Sequence, residues 1–145
     1  MPPSYSTPRT PPADMPFPPS ARLLGWTLEH FDDNTGLLRV RFDGKPDFLN
    51  PAGMIQGGIQ AAMLDDTLGP ALWLTSRGRL YAPTIDMNVS FLHPAAPGPL
   101  FGEGRVVKLG RTIAFLEGCL YDKAGTALTR ATATARVQQF DASRS

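Results

Sequence analysis

Apolar and polar residues alternate in two separate parts of this chain, and between them lies a stretch that is apolar without alternating. From Arg22 to Phe42, the residues Leu23, Trp26, Leu28, Leu38, Val40 and Phe42 are spaced as in strands around the turn sequence Asp32-Asp33-Asn34-Thr35-Gly36, which predicts a hairpin. Lys45 to Met54 reads as a loop. From Gln56 to Arg77, apolar residues such as Ile59, Met63, Leu64, Leu68, Ala71, Leu72 and Leu74 fill more than one helical stripe, so the predicted helix is enclosed on most sides. Pro70 lacks an N–H and its ring opposes the carbonyl of Asp66, which predicts a kink or a restart there. Beyond Gly78 the period becomes two, with Ile85, Met87, Val89 and Phe91 on one face and Thr84, Asp86, Asn88 and Ser90 on the other. Four strands are expected, at 80–92, 100–109, 111–121 and 126–139, with turns at Pro97-Gly98-Pro99, Leu109-Gly110-Arg111 and Lys123-Ala124-Gly125. Short connections between long strands predict an antiparallel meander with one dry face, and the long helix is its cover. The class is α+β.

Length and composition narrow the setting. The 145 residues suffice for one domain, placed at 21–140. Residues 1–20 hold eight of the fifteen prolines and few large apolar groups, so they are expected to form an extended or disordered arm, and 141–145 a disordered tail. A net charge of +1 provides no field that would draw nucleic acid or an anionic membrane. No apolar run approaches the ~20 residues that span a bilayer, and the N-terminus lacks the pattern of a signal peptide, which leads us to expect a cytoplasmic protein. Cys119 is the single cysteine and reads as a small buried hydrophobe, which leaves no intrachain disulfide; with only His30 and His93 besides, no metal site is expected.

Candidate chemistry concentrates between Asn50 and Asp66. Gly57 and Gly58 open the helix, where backbone N–H groups have no intrahelical acceptor and a glycine lets a carbonyl oxygen approach closely, as oxyanion stabilisation requires. Asp65 and Asp66 are carboxylates in an otherwise apolar helix, and neighbours on a helix point about 100° apart, so only one can face a given site. Burial at a dry surface raises a carboxyl pKa, as a general base near neutrality needs. A cap or a hydrogen-bonded pair near the proline is the plainer reading of the two. Gly57 and Asp65 stand eight residues apart, about 12 Å along a regular helix, too far to act on one carbon. If both act, they act from different subunits across an isologous dimer interface. Gln56 and Asn50 also read as ordinary helix-start and loop residues, Thr84 as a strand threonine, and His93 as a loop histidine in solvent. Arg79, Lys108 and Arg111 are cations at turn ends that suit phosphates, and equally ordinary surface residues.

The helix start Asn50 to Asp66, the strand Pro83-Thr84-Ile85-Asp86-Met87-Asn88-Val89-Ser90-Phe91-Leu92-His93-Pro94-Ala95 and the turn Leu109-Gly110-Arg111-Thr112-Ile113-Ala114-Phe115 occur in an order that resembles the hotdog-fold acyl-CoA thioesterases of the phenylacetyl-CoA and 4-hydroxybenzoyl-CoA type, over residues 22–138. The resemblance implies an antiparallel sheet wrapped around one long central helix, and hydrolysis of an aromatic or medium-length acyl-CoA to acid and thiol. It implies that the Gly57 N–H polarises the carbonyl with Gly58 beside it, that Asp65 is general base or nucleophile, that Thr84 orients water or the carboxylate, and that Asn50 lines the reacting centre. Arg111, with Gly110 in the same turn, matches the family's nucleotide-contacting loop, while Lys108 and Arg79 stay candidates by charge alone. No cofactor is implied beyond the coenzyme A of the substrate, and the implied assembly is a homodimer forming a homotetramer. One departure stands out: many members carry histidine where this chain has Gln56, and glutamine carries no proton near neutrality. That difference keeps a non-catalytic acyl-CoA-binding domain as the alternative. A hydratase of the same fold ranks last, because neither histidine opens the helix.

Overall fold

In the computed structural model, residues 11–141 and 143 are described. Expectations for residues 1–10, most of the proline-rich arm, and for 142, 144 and 145 lie outside them. Pro19–Leu24 forms a short helix, α1, closed by Gly25 at φ +71°, so the hairpin begins later than its apolar spacing suggests, with β1 at Thr27–Phe31 and β2 at Leu38–Gly44. Asp32 shapes the turn between them, its carboxylate accepting from the Asn34 N–H at 2.8 Å, and Gly36 takes the left-handed φ of +73°. A 3-10 turn at Pro46–Phe48 leads into the loop before α2, Gly57–Thr75. Then come β3 (Leu80–Tyr81), β4 (Thr84–Phe91), β5 (Gly98–Leu109), β6 (Ile113–Tyr121), β7 (Ala127–Arg136) and β8 (Gln138–Gln139).

Six strands form one antiparallel sheet in the order β1-β2-β5-β6-β7-β4, and α2 lies across its inner face. Met63, Leu64, Leu68, Ala71 and Leu72 of α2 are buried against Val40, Phe42, Leu100, Leu116, Leu120 and Ala133. Each leucine so covered contributes roughly 1.5–3 kcal/mol relative to exposure. Close approach is possible because β5 and β6 present Gly102, Gly104 and Gly118 beneath the helix. A Cβ at Gly102 would collide with the Thr67 hydroxyl, and one at Gly104 or Gly118 would stand 3.0 Å from Leu68 Cδ2.

Three details depart from the sequence reading. The strands are not one four-stranded meander: β5, β6 and β7 follow one another, but β4 pairs with β7 at the edge and β5 pairs with β2. Local turn chemistry predicts which neighbours in sequence join, and it carries no information about a connection that crosses the sheet. The expected strands 80–92 and 126–139 each split, because β3 leaves the main sheet to pair with β8. The helix also runs through Pro70 without a restart. The carbonyl that Pro70 leaves without its intrahelical donor, that of Asp66, accepts the Trp26 indole N–H at 2.9 Å. A buried acceptor left bare costs about 1–3 kcal/mol, and Trp26 removes that penalty. Among the described residues no helix is long and apolar enough to cross a membrane.

Candidate active site

Thr84 and Asp65 meet: the threonine hydroxyl donates to Asp65 Oδ1 at 2.7 Å. A register shift in β4 makes this possible. Met87, Val89 and Phe91 lie opposite Ala133, Ala131 and Thr129, the inward row of β7, while Asp86 lies opposite Thr134 on the outer row. The irregularity between Thr84 and Asp86 returns Thr84 to the inward row, opposite Ala135. Strict alternation put Thr84 on the face of Asp86, Asn88 and Ser90, and the bulge corrects that by re-aiming one side chain toward the helix. On α2, Asp65 is exposed in line with Gly58 and Ala62, whereas Asp66 is half-buried with its Oδ2 covered and without a hydrogen-bond partner. Burial, and secondarily the charge of Asp65, pushes the Asp66 carboxyl up to about 7. The structure thus separates the two acids. Asp65 is reachable and oriented by Thr84, whereas Asp66 is covered.

At the start of α2, Gln56 caps the helix. Its side-chain oxygen accepts from the Ile59 N–H at 3.1 Å, and its carbonyl from Ile59 and Gln60 at 3.0 and 3.2 Å. The N–H groups of Gly57 and Gly58 then have no acceptor among the described residues, so two donors face outward at the positive end of a nineteen-residue helix. Phe91 Cε1 and Cζ lie 3.1 Å from where a Gly57 Cβ would stand, so the ring of an edge-strand residue walls the donor pair. Asn50 braces the loop that leads to this pair. Its Oδ1 accepts from Ala52 and Met54 at 2.9 and 3.1 Å, and it shapes the loop before the helix.

One chain therefore carries two separate groups of candidate residues along α2. Gly57, Gly58, Gln56, Phe91 and the Asn50 loop gather at the helix start, and Asp65 with Thr84 lies about two turns further on. The Lys108-to-Arg111 turn falls at the end of the sheet that carries Thr84, since Ala114 pairs with Ala135, Ala135 with Thr84, and the Val137 N–H donates to the Thr112 carbonyl at 2.8 Å. A Cβ at Gly110 would come within 2.7 Å of the Ile113 carbonyl, so the turn needs its glycine. Arg79 lies beyond the helix C-terminus, with its Nε on the Ser76 carbonyl at 3.0 Å. His93 is exposed and bonded to the Ala127 carbonyl. Cys119 is half-buried, and burial pushes its thiol up, away from nucleophilic use. Among the described residues no three acids, histidines or cysteines are grouped to hold a metal. Sequence reasoning passed over Gln60, and it set Phe91 on the apolar face of its strand without bringing the ring beside Gly57, for which the alternation was the available signal.

Comparison with known proteins gives consistent results. The profile of the thioesterase superfamily matches residues 52–129. A candidate esterase of Halobacterium salinarum is 34% identical over 111 residues, 72% of this chain and 70% of that protein. Acyl-coenzyme A thioesterase 13 of Homo sapiens is 36% identical over 78 residues, 52% of this chain and 54% of its own length, so the match spans about half of that relative. Among solved structures, a phenylacetic acid degradation-related protein of Ralstonia eutropha JMP134, itself described as a candidate thioesterase, superposes with a TM-score of 0.80 at 34% identity, covering 86% of this chain and 93% of that one.

Proposed function

Because this chain belongs to the thioesterase superfamily and is a thioester hydrolase of the hotdog fold, we propose that it cleaves acyl-CoA thioesters, with aromatic or medium-length acyl groups, at sites shared between two subunits. The observation that carries this reading is the Asp65–Thr84 pair, an oriented and reachable carboxylate, on the same helix as the outward N–H pair of Gly57 and Gly58. In the reaction we infer, the thioester oxygen rests on the N–H of Gly57 of the partner subunit. Asp65, held through Oδ1 by Thr84, takes a proton from water as the water oxygen adds to the carbonyl carbon. The oxyanion collapses, the C–S bond breaks, and the thiolate recovers the proton from Asp65, leaving acid and coenzyme A.

The dimer in this proposal is supported by β4. It is an eight-residue sheet edge bearing Ile85 and Phe91 at 60% and 55% exposure, and an unprotected apolar edge is a template for a second strand. Two copies of β4 paired antiparallel over their full length set Thr84 opposite Phe91 of the partner subunit, and that ring walls Gly57. The Lys108-to-Arg111 turn, beside Thr84, supplies cations for the coenzyme A phosphates, with Arg79 further off. The reaction is drawn with no cofactor, in the cytoplasm, by a dimer that assembles to a tetramer. A second reading, an acyl-CoA-binding domain without turnover, is favoured by Gln56, whose side chain is committed to the cap. Thiol release from phenylacetyl-, benzoyl- and C4 to C12 acyl-CoA decides between them. Hydrolysis is expected for wild type, with a loss of about 100-fold or more in Asp65→Asn, a typical span for general-base removal. Binding without hydrolysis in wild type would establish the second reading.

A further inference from the structure

Four polar side chains are buried among the described residues: Gln60, Thr67, Ser76 and Thr129. Thr67 and Ser76 have local explanations, since each donates to a carbonyl of its own helix turn, Met63 at 2.8 Å and Trp73 at 3.0 Å. Gln60 and Thr129 do not. Gln60, on α2 and 4% exposed, donates from Nε2 to the Ile55 carbonyl at 2.9 Å and accepts at Oε1 from the hydroxyl of fully buried Thr129 on β7. An apolar side chain at position 60 would fill the same core without desolvating an amide, so the polar pair needs a reason beyond packing.

Its partners supply one. Ile55 stands two residues before Gly57. Its N–H donates to the Ala95 carbonyl at 2.8 Å and its carbonyl is taken by Gln60, so both backbone groups are fixed. Gln56 follows with its own N–H on the Phe48 carbonyl at 2.9 Å. Thr129 pairs in register with Phe91, the residue whose ring walls Gly57. We propose that Gln60 and Thr129 are positioning residues, a buried clamp that ties the first turn of α2 to the sheet and aims the Gly57 and Gly58 N–H groups at the thioester carbonyl. The inference rests on reading that pair as the carbonyl donors. Such donors act by being oriented before the reaction, and a shift near 1 Å can cost about 100-fold, so a clamp that prevents smaller shifts belongs to the site.

Thr129→Val keeps the volume and removes the hydroxyl, Thr129→Ser keeps the hydroxyl, and Gln60→Met keeps the length without polar atoms. With the best acyl-CoA substrate, Thr129→Val and Gln60→Met are expected to lower kcat about tenfold with KM within about twofold of wild type, and Thr129→Ser to retain the wild-type rate. Amide hydrogen exchange should quicken at Ile59 and Gln60 in Thr129→Val while that of Leu68, in mid-helix, stays unchanged. A wild-type kcat in Thr129→Val, or an equal loss in Thr129→Ser, overturns the positioning role. First-turn exchange unaltered by Thr129→Val overturns the clamp itself, whatever the rate. Wild-type protein that hydrolyses no ester overturns the hydrolase reading, and the catalytic half of the proposal with it.

Discussion

Asp66 holds its proton to about pH 7 because its carboxyl is buried beside the charge of Asp65. Its folded pKa lies above the ordinary 3.8, so the native state binds the proton more tightly than the unfolded chain. The resulting stabilisation is complete below about pH 4 and is lost as the pH rises through 7. Asp66→Asn is therefore expected to reduce the fall in thermal midpoint between pH 5 and pH 8 and to raise the midpoint at pH 8, checked by melting curves across that range. At this scale the sequence was legible where one residue type meets one requirement. Gly57 could be read as a helix start, where the helix does begin, and Asp65 as a carboxylate eight residues on, where it meets Thr84. It was illegible where the answer depended on what covers a side chain. Only packing distinguishes Asp65 from Asp66, and Gln60 in an apolar helix is an unexplained polar residue until Thr129, sixty-nine positions away, is seen beside it.

α2 and β4 are the elements where a local rule yields to tertiary contact. Proline inside a helix predicts a break because it strands a carbonyl, and the break is absent because Trp26 supplies the missing donor from outside. Trp26→Phe should destabilise the protein by about 1–3 kcal/mol through that bare carbonyl, in addition to lost packing. In a Pro70→Ala background, where residue 70 regains its N–H, the same substitution should cost measurably less. Denaturant unfolding of the two single variants and the double variant checks this, and strict additivity would overturn the compensation. β4 departs from its rule in the opposite way, since its alternating pattern was correct from Met87 to Phe91 and failed at the bulge that delivers Thr84 to Asp65. A bulge leaves almost no mark in sequence, whereas a run of alternating residues leaves a clear one.

For the molecule as a whole, the helix and the set of strands could be read from periodicity, but their order in the sheet could not, because the β4-to-β5 connection crosses to a strand whose turns say nothing of it. The separation of Gly57 from Asp65 follows from helical rise alone. If each site draws Gly57 from one chain and Asp65 from the other, mixing inactive Gly57→Ala with inactive Asp65→Asn should restore about a quarter of wild-type activity, since half the dimers are mixed and each has one intact site of two. Recovery is read as thiol release after subunit exchange, and none would place both groups in one chain's own site.

If the open edge of β4 pairs two copies into the working unit, it also carries a kinetic consequence. An enzyme completed only by a neighbour loses specific activity on dilution, once its concentration falls below the dissociation constant of the pair. Total rates would then fall with the square of the subunit concentration and rates per milligram in proportion to it rather than stay constant, and an assay run at trace enzyme would under-report what crowded molecules achieve.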